Sequence, residues 1–474
     1  MSNEAKKQSF ERLNSVFEEK LRDPALYTGR RFSFLKIFQH ALTYDESGAH
    51  SRLLKNYMHW PLWAHNALLN LKAFRSGNRK NEVLRQVVFI DPARILRDDS
   101  NEWHSIYMER AEGIFPSELV SKLNRKKEPR LRSDLSLDEI SRFFPSPDAI
   151  EREMLREVSA IAQNTRRSSH WTQSQKKHIL SALHLFFDDF RFYYGLFRKQ
   201  PVQSVVFISH YHNEGLIAAL NVLNIRSIEL QHGLISGNDL YYQYAPVFRE
   251  AVKNAFFPDR ICVYGSHWKR ILLKGCEFSD TQITIAGDYQ WQPAAQTNDA
   301  SPQNRVLICS QKNMHEEYVS YAQRLAPIIE KHPDWSWTIK LHPLEKNKKA
   351  YEVLKEIGFE IVDQERTLFT LLRESRIQIS IYSTTFYDAL GLDIRNMSLQ
   401  NYGNYKDYAA QMILEGVASP LGIEQDPIEV FHSMKEKSQL LQREDVYAPF
   451  DAEALREAIL PNEHYSKRGF TTLL

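Results

Sequence analysis

The chain has 474 residues, of which 43% are hydrophobic and 25% charged, with a formal net charge of +2. That profile describes a globular protein too long for a single core, and its near-neutral balance argues against a dedicated polyanion binder. Nor does any run of about 18 apolar residues offer a membrane span.

The three cysteines, Cys262, Cys276 and Cys309, have no CxxC spacing and suit a reducing cytosol. Residues 1–30 are too charged for a signal peptide. Phe10, Leu13, Val16, Phe17 and Leu21 form an apolar stripe over a predicted helix Phe10–Leu21. Packing on the body is the favoured reading of that stripe over a membrane-surface role. Residues 1–80 read as helical and aromatic-rich, with Trp60, Trp63 and Phe74. A strand is predicted over Gln86–Ile90, before Asp91-Pro92-Ala93-Arg94. Asn124–Ser133, rich in Lys and Arg, reads as a solvated loop, with acceptor binding as its alternative.

From Pro147 to Lys199 the pattern is helical, with amphipathic segments around Ile150–Ile161 and Gln175–Phe197. Strands and helices then alternate: strand Ser204–Ser209, helix Glu214–Leu223, strand Ser227–Leu230, strand Arg260–Tyr264, helix His267–Leu273, strand Gln282–Ala286. Gly287–Arg305 is dense in Pro, Asn, Gln, Ser and Ala and reads as a linker. A second alternating series follows, with helix His315–Lys331, strand Ser336–Lys340, helix Lys348–Ile357 stopped by Gly358, strand Phe359–Val362, helix Leu368–Glu374 and strand Ile377–Tyr382. Such alternation predicts two parallel, helix-covered sheets, each a Rossmann-like unit. The expected divisions are 1–290 (an acceptor-side domain with helical additions), 300–425 (a nucleotide-donor domain), and C-terminal helices in 426–474 that pack back on the first domain.

Chemistry concentrates where these strands end, because ligands of open parallel sheets bind outside the strands' carboxyl ends. In the second series Cys309-Ser310-Gln311, Lys340-Leu341-His342-Pro343 and Ser383-Thr384-Thr385-Phe386-Tyr387-Asp388 each follow an apolar strand. Lys340 and His342 share a side of their strand by period two, and Pro343 ends the ladder. Ser383-Thr384-Thr385 opens a predicted helix Phe386–Leu392, where free N–H groups and hydroxyls suit an anion; an ordinary N-cap is the competing reading. Gln311 is a weaker candidate for hydrogen bonding to a base or phosphate.

In the first series Ser209-His210-Tyr211-His212-Asn213-Glu214-Gly215 follows one strand and Gln231-His232-Gly233 follows the next. Gly233 permits close approach of a ligand or a positive φ. His232 near Glu214 or His210 is suited to general-base work around neutral pH. His212 and Tyr241 fall on the same side as acceptor-facing candidates, with core packing an equal reading for the tyrosines of Asp239–Tyr244. The His210-x-His212 pair lacks the following Asp-His of zinc hydrolases, so no metal site is expected. There is no Gly-x-Gly-x-x-Gly, Walker loop or kinase set.

Over about residues 200–400, the strand-end Gln-His-Gly, the Lys-x-His-Pro and the Ser-Thr-Thr-x-x-Asp-Ala cluster resemble bacterial capsule and surface polysaccharide glycosyltransferases of GT-B fold. They are also similar to CDP-glycerol glycerophosphotransferases and to CMP-sialic acid and CMP-Kdo transferases. The resemblance implies an α/β, GT-B type protein with two Rossmann-like domains facing across a cleft and extra N-terminal helices. It implies His232 as the catalytic His; Glu214 and His210 beside it come from the strand-end reading. On the donor side it implies His342 on the donor phosphate with Ser383, Thr384 and Thr385 beside it and Asp388 at a donor-ligand position, while Gln311 and Lys340 are donor-side candidates from the strand-end reading alone. Asp388 stands where many members have Glu, and Gly391-Leu392-Asp393-Ile394-Arg395 lacks the usual Pro, which leaves the donor's identity open.

The implied activity is metal-independent transfer of a sugar from a nucleotide donor, with CMP- and CDP-linked donors as candidates, to a capsule, O-antigen or lipooligosaccharide acceptor. No cofactor and no nucleic-acid partner are implied. The expected setting is cytoplasmic, compatible with peripheral contact at the inner face of the membrane or with a biosynthetic complex. A CDP-polyol phosphotransferase, a nucleotide-sugar epimerase and a non-catalytic glycan assembly protein are the alternatives.

Overall fold

The computed structural model describes residues 17–29, 32–46, 84–91, 95–97, 103–124, 148–211, 213–237, 241–253, 255–290, 303–312, 314–343, 345–363, 365–390, 392, 394–400, 405–434 and 441–460. The chain divides into two compact units, Met1–Ala294 with Ala448–Leu474, and Ala295–Tyr447.

The first unit contains β1 (Val87–Asp91), β2 (Ile95–Arg97), β3 (Trp103–Ser105), β4 (Val120–Asn124), β5 (Ser204–Phe207), β6 (Arg226–Leu230), β7 (Arg260–Val263) and β8 (Ile283–Ile285). Of these, β2 and β3 form an antiparallel pair. The others make one parallel sheet, ordered β4-β1-β5-β6-β7-β8. Every residue of β5 and β6 is buried, as expected where helices cover both faces of a parallel sheet.

Helices α1 (Leu35–Glu46), α2 (Ala149–Arg167), α3 (Gln173–Phe197) and α4 (Glu214–Val222) belong to this unit. Reciprocal capping boxes, Asp148 with Glu151 and Thr172 with Gln175, start α2 and α3 where the predicted amphipathic segments begin. Each satisfies two amide donors that the first helical turn leaves without partners. The long α3 packs against α1, α2 and α4. Gly215 sets how closely α4 approaches it, since a Cβ there would lie 2.6 Å from the Phe186 carbonyl oxygen. Phe34, Phe186 and Phe256 interlock in the core, with ring centroids 4.8–5.8 Å apart. Phe17 and Leu21 are buried, so the described end of the first apolar stripe packs inward; Phe10, Leu13 and Val16 lie outside the described residues, as do Trp60, Trp63, Phe74 and most of Asn124–Ser133.

The second unit contains β9 (Arg305–Cys309), β10 (Ser336–Lys340), β11 (Phe359–Val362), β12 (Ile377–Ser380), β13 (Arg395–Leu399) and β14 (Ser419–Leu421), all parallel and ordered β11-β10-β9-β12-β13-β14. Counted from β9, this is the 3-2-1-4-5-6 order of a nucleotide-binding sheet, with its switch point between β9 and β12. Alternate residues of β9 serve opposite faces: Val306 and Ile308 join Tyr318 and Tyr321, whereas Leu307 and Cys309 join Leu371 and Leu372. Two parallel, helix-flanked six-stranded sheets make this an α/β protein of two Rossmann-like units, the GT-B type fold class expected.

Several boundaries differ from the sequence reading. The predicted helix His315–Lys331 is two, α5 (His315–Arg324) and Ala326–Lys331, because Pro327 has no N–H to continue the ladder. Gly358, at φ +98°, does stop the preceding helix Lys348–Ile357, which is a 3-10 helix. The helix after Ser383-Thr384 is only one turn, α6 (Thr385–Asp388). Strands β2, β3, β4, β13 and β14 were not anticipated. Helices Pro427–Ser433 and Arg443–Val446 stay with the second unit, while the chain from Ala448 belongs to the first, where Ala452–Ile459 packs on β5–β8. Ser204 donates to the Ile459 carbonyl there. Among the described residues, no helix is long and apolar enough to cross a membrane.

Candidate functional site

Two groups of strand-end residues, one in each unit, carry the candidate chemistry. In the first unit β5 and β6 are parallel neighbours in the register Phe207↔Glu229, so the loops leaving them emerge at the same sheet edge. Ser209 takes φ +61°, a left-handed conformation uncommon outside Gly, and ends the strand two residues before the predicted boundary. Its conformation is held by Asn213, whose side-chain amide donates to the carbonyls of Ile208 and Ser209 at 3.1 and 2.8 Å. The Ser209 hydroxyl lies 3.2 Å from Nε2 of His232, and the Tyr211 hydroxyl lies 3.0 Å from the same nitrogen. The Tyr107 ring meets the imidazole edge-on at a centroid distance of 6.2 Å. Tyr241 stacks on Tyr211 at 4.4 Å, leaving both rings half-buried beside His232.

The loop bearing His232 is clamped by its neighbour. Gln231 is fully buried; its side chain donates to the Gly233 carbonyl at 2.9 Å and accepts from the Tyr264 amide at 3.0 Å. Its backbone carbonyl accepts from the hydroxyls of Tyr264 and Tyr289 at 2.6 and 2.8 Å. Gly233 does not use a positive φ; what it provides is open space, with nothing within 4 Å of where a Cβ would stand.

His210 and Glu214 do not occupy the positions expected beside His232. His210 is fully buried, with Nδ1 2.6 Å from Oε2 of Glu229 and Nε2 2.9 Å from the Tyr241 carbonyl. Oε1 of Glu229 accepts from the Tyr242 hydroxyl at 2.6 Å. Glu214 lies 3.8 Å from the ammonium of Lys36, which donates to the Phe256 carbonyl at 2.7 Å. Burial pulls Lys36 down to about 8, against the opposing attraction of Glu214 and Glu229. Burial alone would raise the Glu229 carboxyl, but His210, Tyr242 and the charge of His232 together hold it below the usual carboxylate range. Ser209, Tyr211 and Glu229 stand within the strand-end motifs of the sequence but are given no role there; the structure sets the two hydroxyls on His232 and the carboxylate on His210. His212 lies outside the described residues.

In the second unit the loops after β9, β10 and β12 share the edge beside the switch point. Ser310 hydrogen-bonds the His342 amide through its hydroxyl at 2.9 Å, while its own amide donates to the Lys340 carbonyl at 3.0 Å. These bonds fix the start of the His342 loop and leave its side chain half-buried. The Ser383 hydroxyl accepts from the Thr385 amide at 3.3 Å and lies 3.0 Å from the Thr385 hydroxyl, which also accepts from Gln378. Thr384 is exposed. With only one helical turn behind them, these residues offer hydroxyls rather than a strong helix dipole.

Three expected donor ligands are struts instead. Gln311 donates to the Tyr382 carbonyl and accepts from the Tyr382 amide at 3.2 Å and the Tyr318 hydroxyl at 2.9 Å, so its amide is committed to shaping the Ser383 loop. Lys340 donates to the Asp363 carbonyl; burial lowers its pKa, against the pull of Asp363 and Glu365. Asp388 accepts from the Tyr447 hydroxyl at 2.6 Å, and its carbonyl accepts from Arg443 at 3.1 Å. Burial pushes the Cys262 and Cys309 thiols up to about 12, away from any nucleophilic form. Among the described residues no group of three or more His, Cys, Asp or Glu side chains is arranged to hold a metal ion.

No protein-family model matches the chain, and no curated protein matches it in sequence. Solved structures resemble it at low identity. Staphylococcus aureus MnaA with UDP has a TM-score of 0.42 at 11% identity, covering 79% of this chain and 94% of that one. UDP-GlcNAc 2-epimerase from Neisseria meningitidis, bound to UDP-GlcNAc, has a TM-score of 0.40 at 13% identity, covering 78% and 96%. CalG4, the calicheamicin glycosyltransferase, has a TM-score of 0.38 at 11% identity, covering 79% and 94%. One of these proteins is named an epimerase and one a glycosyltransferase; function is argued from a site rather than from a fold.

Proposed function

We propose that this protein is a nucleotide-sugar-dependent glycosyltransferase acting on a bacterial surface glycan, with His232 as its general base. The observation that carries this reading is the setting of His232: a half-buried imidazole at a strand end, hydrogen-bonded to two hydroxyls, with open space over Gly233 and stacked tyrosines beside it. Aromatic faces next to a base suit a sugar acceptor, whose C–H surfaces lie on the rings while a hydroxyl reaches the nitrogen. His232 takes the proton of that hydroxyl as its oxygen bonds to the donor's anomeric carbon. The anomeric C–O bond then breaks with its electrons going to the nucleotide phosphate. The second unit is read as the donor side: its His342 and the hydroxyls of Ser383 and Thr384 are suited to a nucleotide phosphate, and donors to negative charge commonly contribute most to rate. Gln311, Lys340 and Asp388 enter as supports of these loops.

No step calls on a metal, and the nucleotide sugar is a substrate, so the setting proposed is cytoplasmic. A lipid-linked acceptor would bring the enzyme to the inner face of the membrane.

The test is a panel of CMP-, CDP-, UDP-, GDP- and dTDP-activated sugars, each incubated with the purified protein with and without glycan acceptors. Sugar transfer that requires an acceptor and is lost in His232→Ala supports the proposal. Conversion of the sugar with donor alone means an epimerase, and no nucleotide-dependent thermal stabilisation at all means a non-catalytic protein.

A further inference from the structure

Under the first unit's candidate site lies a buried cluster that the proposed reaction does not itself use: Lys36 from α1, Glu214 from α4, Glu229 from β6, and His210 with Tyr242 from the adjoining loops. His210 and Glu229 are both completely shielded from solvent. Both ring nitrogens of His210 face acceptors, Nδ1 the Glu229 carboxylate at 2.6 Å and Nε2 the Tyr241 carbonyl at 2.9 Å. A neutral imidazole has one N–H, and Nε2 needs it for the carbonyl. A second proton must therefore sit between Nδ1 and the carboxylate, since two lone pairs at that distance repel.

The same pair is joined to everything around His232. Ser209 and Tyr211 flank His210 in the chain and reach Nε2 of His232. Tyr241, held through its carbonyl, stacks on Tyr211. Glu229 lies on β6 and His232 on the loop that leaves it.

We infer that His210 and Glu229 are positioning residues for His232: they share one buried proton and so pin the loops that carry Ser209, Tyr211 and Tyr241 against its imidazole. The inference rests on the reading of His232 as the base. The other titratable groups facing the pair are Lys36, Glu214, Tyr242, Cys262 and Tyr289, besides His232 itself.

The experiment is a pH titration by NMR of the full chain carrying 15N-labelled histidine, in the parent, His232→Ala and Glu229→Gln. His232→Ala identifies the His232 signals. Glutamine keeps the shape, donates to Nδ1 and accepts from Tyr242, but holds no shared proton. The parent is expected to show a far-downfield proton on one non-titrating imidazole. Glu229→Gln should lose that proton and, by loosening the Ser209 and Tyr211 hydroxyls on Nε2, shift the His232 titration, which a merely structural role would not do. A folded Glu229→Gln with an unchanged His232 titration overturns the inference. So does a parent spectrum without the downfield proton, which decides the matter even if the variant does not fold. If His232→Ala keeps full transferase activity, the base reading fails, while the proton-sharing result stands or falls on the spectra alone.

Discussion

The two strand-end regions use their polar residues in opposite ways. Around β5 and β6 a single half-buried imidazole is presented by hydroxyls and aromatic rings, over a sealed layer of paired charges. Around β9, β10 and β12 the side chains of Gln311 and Lys340 hydrogen-bond backbone and Ser310 holds the His342 amide, while His342 and Ser383 are half-buried and Thr384 is exposed. A proton-transferring group needs a defined orientation and field, which buried charge pairs provide; an anion-binding edge needs shaped loops and accessible donors.

The contrast can be broken most sharply at His232. His232→Ala should lower turnover by about 10²- to 10⁴-fold, the usual contribution of a general base, with nucleotide affinity close to the parent's by calorimetry. Parent-like turnover would remove the first region from the chemistry.

His342→Ala should show the reverse pattern. A lost hydrogen bond to a charged group, about 1.5–3 kcal/mol, predicts roughly 10- to 100-fold weaker nucleotide binding and a smaller ligand-induced rise in Tm. Unchanged affinity would detach that edge from the donor.

Gln311→Ala tests whether a strut differs from a ligand. Leaving the buried Tyr318 hydroxyl and the Tyr382 amide without this partner should cost about 1–3 kcal/mol in urea unfolding, together with a loss of nucleotide affinity. Weaker binding without any loss of stability would make Gln311 a direct ligand after all.

The smallest effect concerns Lys36. Its folded pKa of about 8 lies below the ordinary 10.5, so between these values the unfolded chain binds more protons, and this group's contribution to stability rises with pH. The unfolding free energy of the parent minus that of Lys36→Met should therefore grow from about pH 8 to pH 10. A flat difference would mean that Lys36 is solvated, and the sealed layer beneath His232 is not sealed.

Much of the architecture was legible in the amino-acid order. Alternating apolar strands and amphipathic helices marked the strands around His232 and His342, and Gly358 and Pro343 punctuated them where expected. The strands β4 and β13 escaped because polar residues interrupt their apolar pattern (VSKLN, RNMSL), and β2, β3 and β14 because each has only three residues. The split at Leu325 was hidden by helical periodicity that continues across Pro327, although the missing N–H was readable.

For the site, the sequence by itself determined which residues sit at strand ends, because period two and chain punctuation are local properties. Only the tertiary structure decided which of them face outward. His210 is buried because Glu229, nineteen residues on, meets its ring from the adjacent strand. Lys340 is a strut because the Asp363 carbonyl lies within reach from a different loop. Whether a polar side chain becomes ligand or support depends on what stands opposite it, and that partner is brought there by the packing of strands distant in the chain.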